Sequence, residues 1–217
     1  VYDLGKLFDF MDRPQTESIT QALSQLYALK ALNSRGELTK LGRRMSEFPL
    51  DPLQSKTLLG AENFNCTEDI VIILAMMDVD GSIFYRPKDK KEIVDNIRRG
   101  FDCAGGDYGI LLRVYREWEE MEFSSSWCHE KFIQLRSMKR ARDIRDQLMG
   151  LCDRAFVEMS SSDNITNTLK AIVSGYFYNC ASTKNGKDYT TLKTKKTVFY
   201  SPWFNFVHSR QKGRYHS

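Results

Sequence analysis

The sequence lacks the short patterns that nucleotide, metal and redox chemistry require. No G-x-x-x-x-G-K-[ST] phosphate loop occurs: Gly186-Lys187 is followed by Asp188 and has no glycine five residues earlier. The "GGDYG" of residues 105–109 is not G-x-G-x-x-G and follows no strand pattern, which excludes a dinucleotide fold. Histidine is confined to His129, His208 and His216, and "HEKF" has no partner histidine one helical turn on, so no metal site is expected. The five cysteines (Cys66, Cys103, Cys128, Cys152, Cys180) form no C-x-x-C pair and are odd in number. That excludes a disulfide framework and points to a reducing compartment. The longest apolar run, Ile70 to Met77, is too short to span a bilayer, and the first residues carry acids where a signal peptide needs basic residues. Carboxylates are plentiful, but none form a pair at a catalytic spacing. The expectation is a chain with no catalytic residue, no cofactor of its own and no membrane contact.

What is present is an ordinary globular mixture. At 41% hydrophobic and 28% charged residues the chain can bury a core, and 217 residues suit two or three small domains. The net charge of +4 is unevenly placed. From Lys184 onward eight lysines and arginines face one acid, Asp188, leaving 24 basic and 27 acidic residues before that point. A basic segment that also holds Tyr189, Tyr200, Trp203, Phe204 and Phe206 could neutralise phosphates and stack bases. A solvated lysine-rich hairpin would have the same composition.

The first part reads as a winged helix. Thr16 stands as the cap of a helix running to about Ala31, with Ile19, Leu23, Leu26 and Tyr27 at three- and four-residue spacing. "NSRG" then turns the chain between short extended pieces near Ala31-Leu32 and Glu37-Leu38. Thr39 caps a helix with Leu41, Met45 and Phe48 inward, and Pro49 stops it. Asp51-Pro52 opens another helix through about Asn63. Helix, small wing and tightly stopped helix predict a winged-helix module over residues 1–65.

Residues 66–174 read as a helical bundle. "TEDIVIILAMM" is apolar on nearly every face and should be its central helix. After "DVDGSIFYRPKDKKE" come a charged helix ending near Gly100 and an amphipathic one with Leu111, Leu112, Tyr115 and Trp118 inward. Ser126 should cap a long helical stretch broken near Leu135-Arg136. Within it Leu135, Met138, Ala141, Ile144, Leu148 and Cys152 form a stripe. Arg136, Lys139, Arg140, Asp143, Asp146 and Gln147 lie opposite, with Arg145 at the stripe's edge. A solvated face with internal ion pairs would account for these charges equally well.

A helix from Ile165 to about Ser174 hands over at Gly175 to "YFYNCA", "YTTL" and "TVFY", three β-rich runs that predict the start of a small β-barrel or meander over residues 175–217. It is at most a partial OB-like barrel, because a closed one needs more chain than remains after Tyr200. The fold class expected is therefore mainly α with a small β part.

Several long phrases, in order, resemble one family. "FDFMDRPQTESITQALSQLYALKALNSRGELTKLGRRMSEFPLDP" resembles the winged helix that follows the motor of DEAH-box RNA helicases. "IFYRPKDKK", "GGDYGILLRVYREW", "WCHEKFIQLRSMKRARDIRDQL" and "IVSGYFYNCA" resemble the ratchet-like bundle and the entry to the OB-fold of the same enzymes, most closely the pre-mRNA-splicing subgroup. The likeness runs from about Leu4 to Pro202. Three departures stand out: Tyr108 where the family has histidine, Lys30 where it has glycine, and "YSP" where it has I-H-P.

The resemblance implies an accessory C-terminal region of an ATP-dependent helicase of the spliceosome, in the nucleus. ATP and Mg²⁺ would be held by motor domains preceding Val1. This part would line a channel for single-stranded RNA and dock a G-patch-type activator. On that reading Arg136, Ser137, Arg140 and Arg145 face RNA, joined by Lys184, Lys187, Tyr189 and Lys193 from the β part. A non-enzymatic scaffold derived from a helicase tail is the alternative.

Overall fold

The computed structural model describes residues 11, 14–79, 83–183 and 188–198. The aromatic tail after Val198 and both Lys184 and Lys187 lie outside them.

Helix α1 (Thr16–Ala28) begins one residue earlier than a Thr16 cap requires. Gln15 takes the capping position, and Thr16 is already helical. The helix also ends before Ala31. Lys30 turns left-handed at φ 62°, its amide bonds the Tyr27 carbonyl at 2.9 Å, and the Ala31 amide returns to Leu26 at 2.9 Å. This is the paired closure that a glycine normally makes, with lysine in the glycine's place.

The wing is a single antiparallel bridge, Leu32 to Leu38. Thr39 caps α2 (Lys40–Met45) by accepting from the Gly42 amide at 3.0 Å. Asp51 caps α3 (Pro52–Ala61) by accepting from Leu53 at 2.7 Å and Gln54 at 3.0 Å, with Pro52 at the first helical position. A 3₁₀ turn, Glu62–Phe64, follows, and Glu62 holds Arg44 of α2 through two contacts of 2.9 Å. That bidentate pair fixes the winged helix to the start of the bundle.

Helix α4 (Thr67–Met77) is the centre, with Ile70 through Met76 all buried. It packs against α3, α6 (Gly106–Glu120) and α8 (Leu135–Arg154). Helix α5 (Lys91–Gly100) buries only Val94. Helix α9 (Ile165–Tyr176) lies along α3 at very close range. A Cβ on Gly175 would meet Thr57 Oγ1 at 2.2 Å and the Leu53 carbonyl at 2.4 Å. Glycine is what lets these two backbones touch.

The long stretch before α8 is broken earlier than expected. Ser124, not Ser126, caps α7 (Ser125–Glu130), accepting from the Trp127 amide at 3.4 Å. Phe132 then turns left-handed at φ 54°, and Ile133 pairs with Phe84 in an isolated bridge. That bridge to a distant residue leaves four residues between the end of α7 and the start of α8.

The first expected β-run is also different. Tyr176 closes α9 and Phe177–Asn179 form a 3₁₀ turn, so only Ala181–Thr183 (β1) is strand. It pairs antiparallel with β2 (Tyr189–Thr191), and β2 with β3 (Thr197–Val198), in the order β1-β2-β3. The result is a three-stranded meander; among the described residues it does not close into a barrel.

Candidate nucleic-acid interface

Helix α8 supplies the most extensive basic face that sequence pattern singled out. Met138, Ala141, Leu148 and Cys152 are buried, and Leu135 and Ile144 pack partly on the core, so one side of the helix is anchored along its length. The six residues expected opposite, Arg136, Lys139, Arg140, Asp143, Asp146 and Gln147, are all exposed. Arg136 and Arg140 stand one turn apart and form no ion pair or hydrogen bond among the described residues. Lys139 lies between them. A rigid helix thus presents three cations to solvent on one face.

The other residues of the expected set are placed differently. Ser137 is only 7% exposed, on the inward side of α8. Arg145, at the edge of the stripe, has a side chain 16% exposed and is already committed. Its guanidinium reaches Asp146 at 3.0 Å and both Glu68 of α4 and Glu119 of α6 at 3.5 Å. Burial works against its charge, but the Asp146 hydrogen bond, with Tyr115 and the acids around it, outweighs burial and raises its pKa further. Arg145 is a strut between three helices. Arg142 likewise turns inward, over Phe123 at 5.1 Å and Trp118 at 6.0 Å.

In the meander, Tyr189 is half-buried on β2. Lys193 is exposed in the turn before β3, its Nζ 5.4 Å from the Tyr178 ring centre. The meander faces α1 across a cavity of about 520 Å³ lined by Gln21, Gln25, Tyr178 and Thr191. It is a separate surface from the α8 row.

Sequence reasoning missed one cluster. Asp69, fully buried in the first turn of α4, is held by Arg116 of α6 and accepts from Ser161 Oγ at 3.1 Å, the Ser162 amide at 3.2 Å and Thr168 Oγ1 at 3.4 Å. Burial pushes its carboxyl above the usual range, against the pull of Arg116 and the Ser162 and Ser161 donors. Two residues earlier, Thr67 Oγ1 donates to the Glu158 carbonyl and accepts from the Ser160 amide, both at 2.7 Å. The polar link between α8 and α9 is thereby tied to the head of α4. The signal was legible in principle: a charged pair, Glu68-Asp69, opens a helix that is otherwise apolar all round.

Two family models match the chain. Residues 22–50 match the family model of the helicase associated domain (HA2), winged-helix, and residues 51–146 match that of the HA2 ratchet-like domain. The two matches abut at Leu50 and Asp51, where the Asp51 cap opens α3. They cover the α1-to-α2 module, the central helix and the basic face of α8. Residues 22–146 thus carry the winged-helix and ratchet-like HA2 domains, which indicate a helicase-associated C-terminal region of the DEAH/RHA type.

Proposed function

We propose that the chain is the accessory C-terminal region of an ATP-dependent DEAH-box RNA helicase acting in pre-mRNA splicing in the nucleus, with Arg136 and Arg140 as part of the wall of a single-stranded RNA channel. ATP and Mg²⁺ would be bound by motor domains of the parent and not by this region. The observation that carries the reading is the pair Arg136 and Arg140: exposed, without ion-pair partners among the described residues, and mounted on a helix whose other side is core. Unpaired guanidinium groups on a rigid support hold phosphates without reading bases, which suits an enzyme that moves along any sequence. The meander would be the start of an OB-fold, with Lys184, Lys187, Tyr189 and Lys193 as its RNA contacts. Docking of a G-patch-type activator is supported by α1, which has no fully buried residue and leaves Tyr27 57% exposed beside Ile19, Leu23 and Leu26.

Fluorescence anisotropy with single-stranded RNA at two salt concentrations tests the α8 assignment. Reversing both Arg136 and Arg140 to glutamate should weaken binding and reduce the salt slope by about 1.4 units, at about 0.7 per lost phosphate contact. The control reverses Lys40 and Arg43, two exposed cations of α2. Arg44 is unsuitable there, because it holds Glu62. Equal losses from both double variants would reduce the interaction to general attraction and remove α8 from the channel.

A further inference from the structure

Residues 83–91 are docked onto the start of α8 by three links. Phe84 bridges to Ile133, the Tyr85 amide donates to the Phe132 carbonyl at 3.0 Å, and the Gln134 amide donates to the Ile83 carbonyl at 2.8 Å. These links set the partly exposed rings of Tyr85 and Phe132 edge to face, 5.5 Å between centres, just before the turn of α8 that carries Arg136. Lys90 Nζ lies 5.9 Å from the Phe132 ring centre. Residues 85–99 hold six basic residues against three acids. One of those acids, Asp95, is engaged by Arg86. Lys88, Lys90 and Lys91 are exposed and form no ion pair among the described residues.

An aromatic pair beside uncompensated lysines suits a ligand with both flat faces and repeated negative charge. An acidic peptide would use the lysines and leave the rings idle; a nucleic-acid strand uses both. We propose that Tyr85 and Phe132, with Lys90 and Lys91, form a second RNA contact that extends the track of Arg140 and Arg136 past the start of α8. One ring stacks a base and the lysines hold the adjoining phosphates. The inference rests on the reading of α8 as RNA-facing, and the experiment separates the two.

Binding of labelled oligouridylates of about 5 and about 12 nucleotides, within the usual range of site sizes, is measured for the full chain. The longer strand should bind the unaltered protein roughly tenfold more tightly, the worth of about one stacked base. Tyr85→Leu, which keeps apolar bulk, and Lys90→Ala/Lys91→Ala should each remove that gain while leaving the short strand's affinity unchanged. Only the lysine variant should also reduce the salt slope, since stacking releases no counterions. Thermal melts matching the unaltered protein show that both variants fold. The proposal is overturned if length brings no gain, if the gain survives in either variant, or if a polyglutamate peptide displaces the long strand as well as unlabelled RNA does. Failure of the α8 reading has its own signature: reversal of Arg136 and Arg140 leaves short-strand binding intact.

Discussion

Arg116 and Asp69 form an ion pair with one end in the core and the other near solvent: the Asp69 side chain is fully buried and that of Arg116 is 35% exposed. The same Arg116 donates to Ser161 Oγ at 2.7 Å, so three segments of chain meet on two side chains. A buried carboxylate costs desolvation energy, and here that cost is offset by four donors.

Removing the acceptor should therefore be expensive. Asp69→Ala takes the acceptor from Thr168 and the Ser162 amide and the counter-charge from Arg116, which keeps only Ser161 Oγ, and should destabilise the chain by about 3 kcal/mol. Asp69→Asn keeps one acceptor oxygen and removes the buried charge, so it should cost clearly less, about 1–2 kcal/mol. Chemical denaturation of both variants checks the order. Equal costs would mean that packing, not hydrogen bonding, holds the 158–164 link.

Two of the left-handed residues are natural sites for glycine. Lys30, at φ 62°, closes α1, and Phe156, at φ 53° and 93% exposed, closes α8 in the same way, with the Val157 amide returning to Cys152 at 2.9 Å. Glycine at either position should stabilise the fold by about 0.5–1 kcal/mol, while alanine should bring no gain. Lys30→Gly has a second benefit, because Lys56 is held below the usual lysine value by burial first and by Lys30 second. A loss of stability on Phe156→Gly in denaturant titration would show that the exposed ring makes a contact worth more than the strain.

Tyr115 is fully buried at the α6 face toward α8, and its hydroxyl has no hydrogen-bond partner among the described residues. Tyr115→Phe should leave the ring contact with Trp118, 6.1 Å between centres, in place. Stability should then be unchanged or higher by about 1 kcal/mol, the cost of an unmet hydroxyl. A substantial fall in Tm would show that this hydroxyl is satisfied in solution.

Local chemistry made much of the fold legible. Thr39, Asp51 and Pro52 cap and open helices because their side chains and backbone act within three residues, and the stripe of α8 follows from helical spacing alone. What escaped depends on distant partners. The break at Phe132 exists because Ile133 pairs with Phe84, 49 positions away in sequence. The strand expected at Tyr176–Asn179 stayed helical because Gly175 lets α9 lie against α3. The site divides along the same line. Exposure of Arg136 and Arg140 was readable from period, whereas the capture of Arg145 required Glu68 and Glu119 from two other helices.

The five cysteines should divide by burial into two classes. Cys66, Cys128 and Cys152 are fully buried, and burial raises each thiol to about 11 from an ordinary 9.0. Cys103 and Cys180 are half-buried. Burial raises the Cys103 thiol too, so access separates the classes: at about pH 8 a disulfide reagent should modify the two half-buried thiols first and the three buried ones only as the chain unfolds. The same shifts set an alkaline limit. The folded chain keeps protons that the unfolded chain loses, so their contribution is complete below pH 9 and disappears as pH rises through about 11. Each thiol accounts for about 2–3 kcal/mol on the order of its shift, enough together to unfold a domain of ordinary stability. Circular dichroism across pH 8 to about 12 should show a cooperative loss of helix, with the three slow thiols becoming reactive in the same interval. Rapid modification of all five at about pH 8 in the native chain would mean that the core around α4 and α8 opens far more readily than its packing implies.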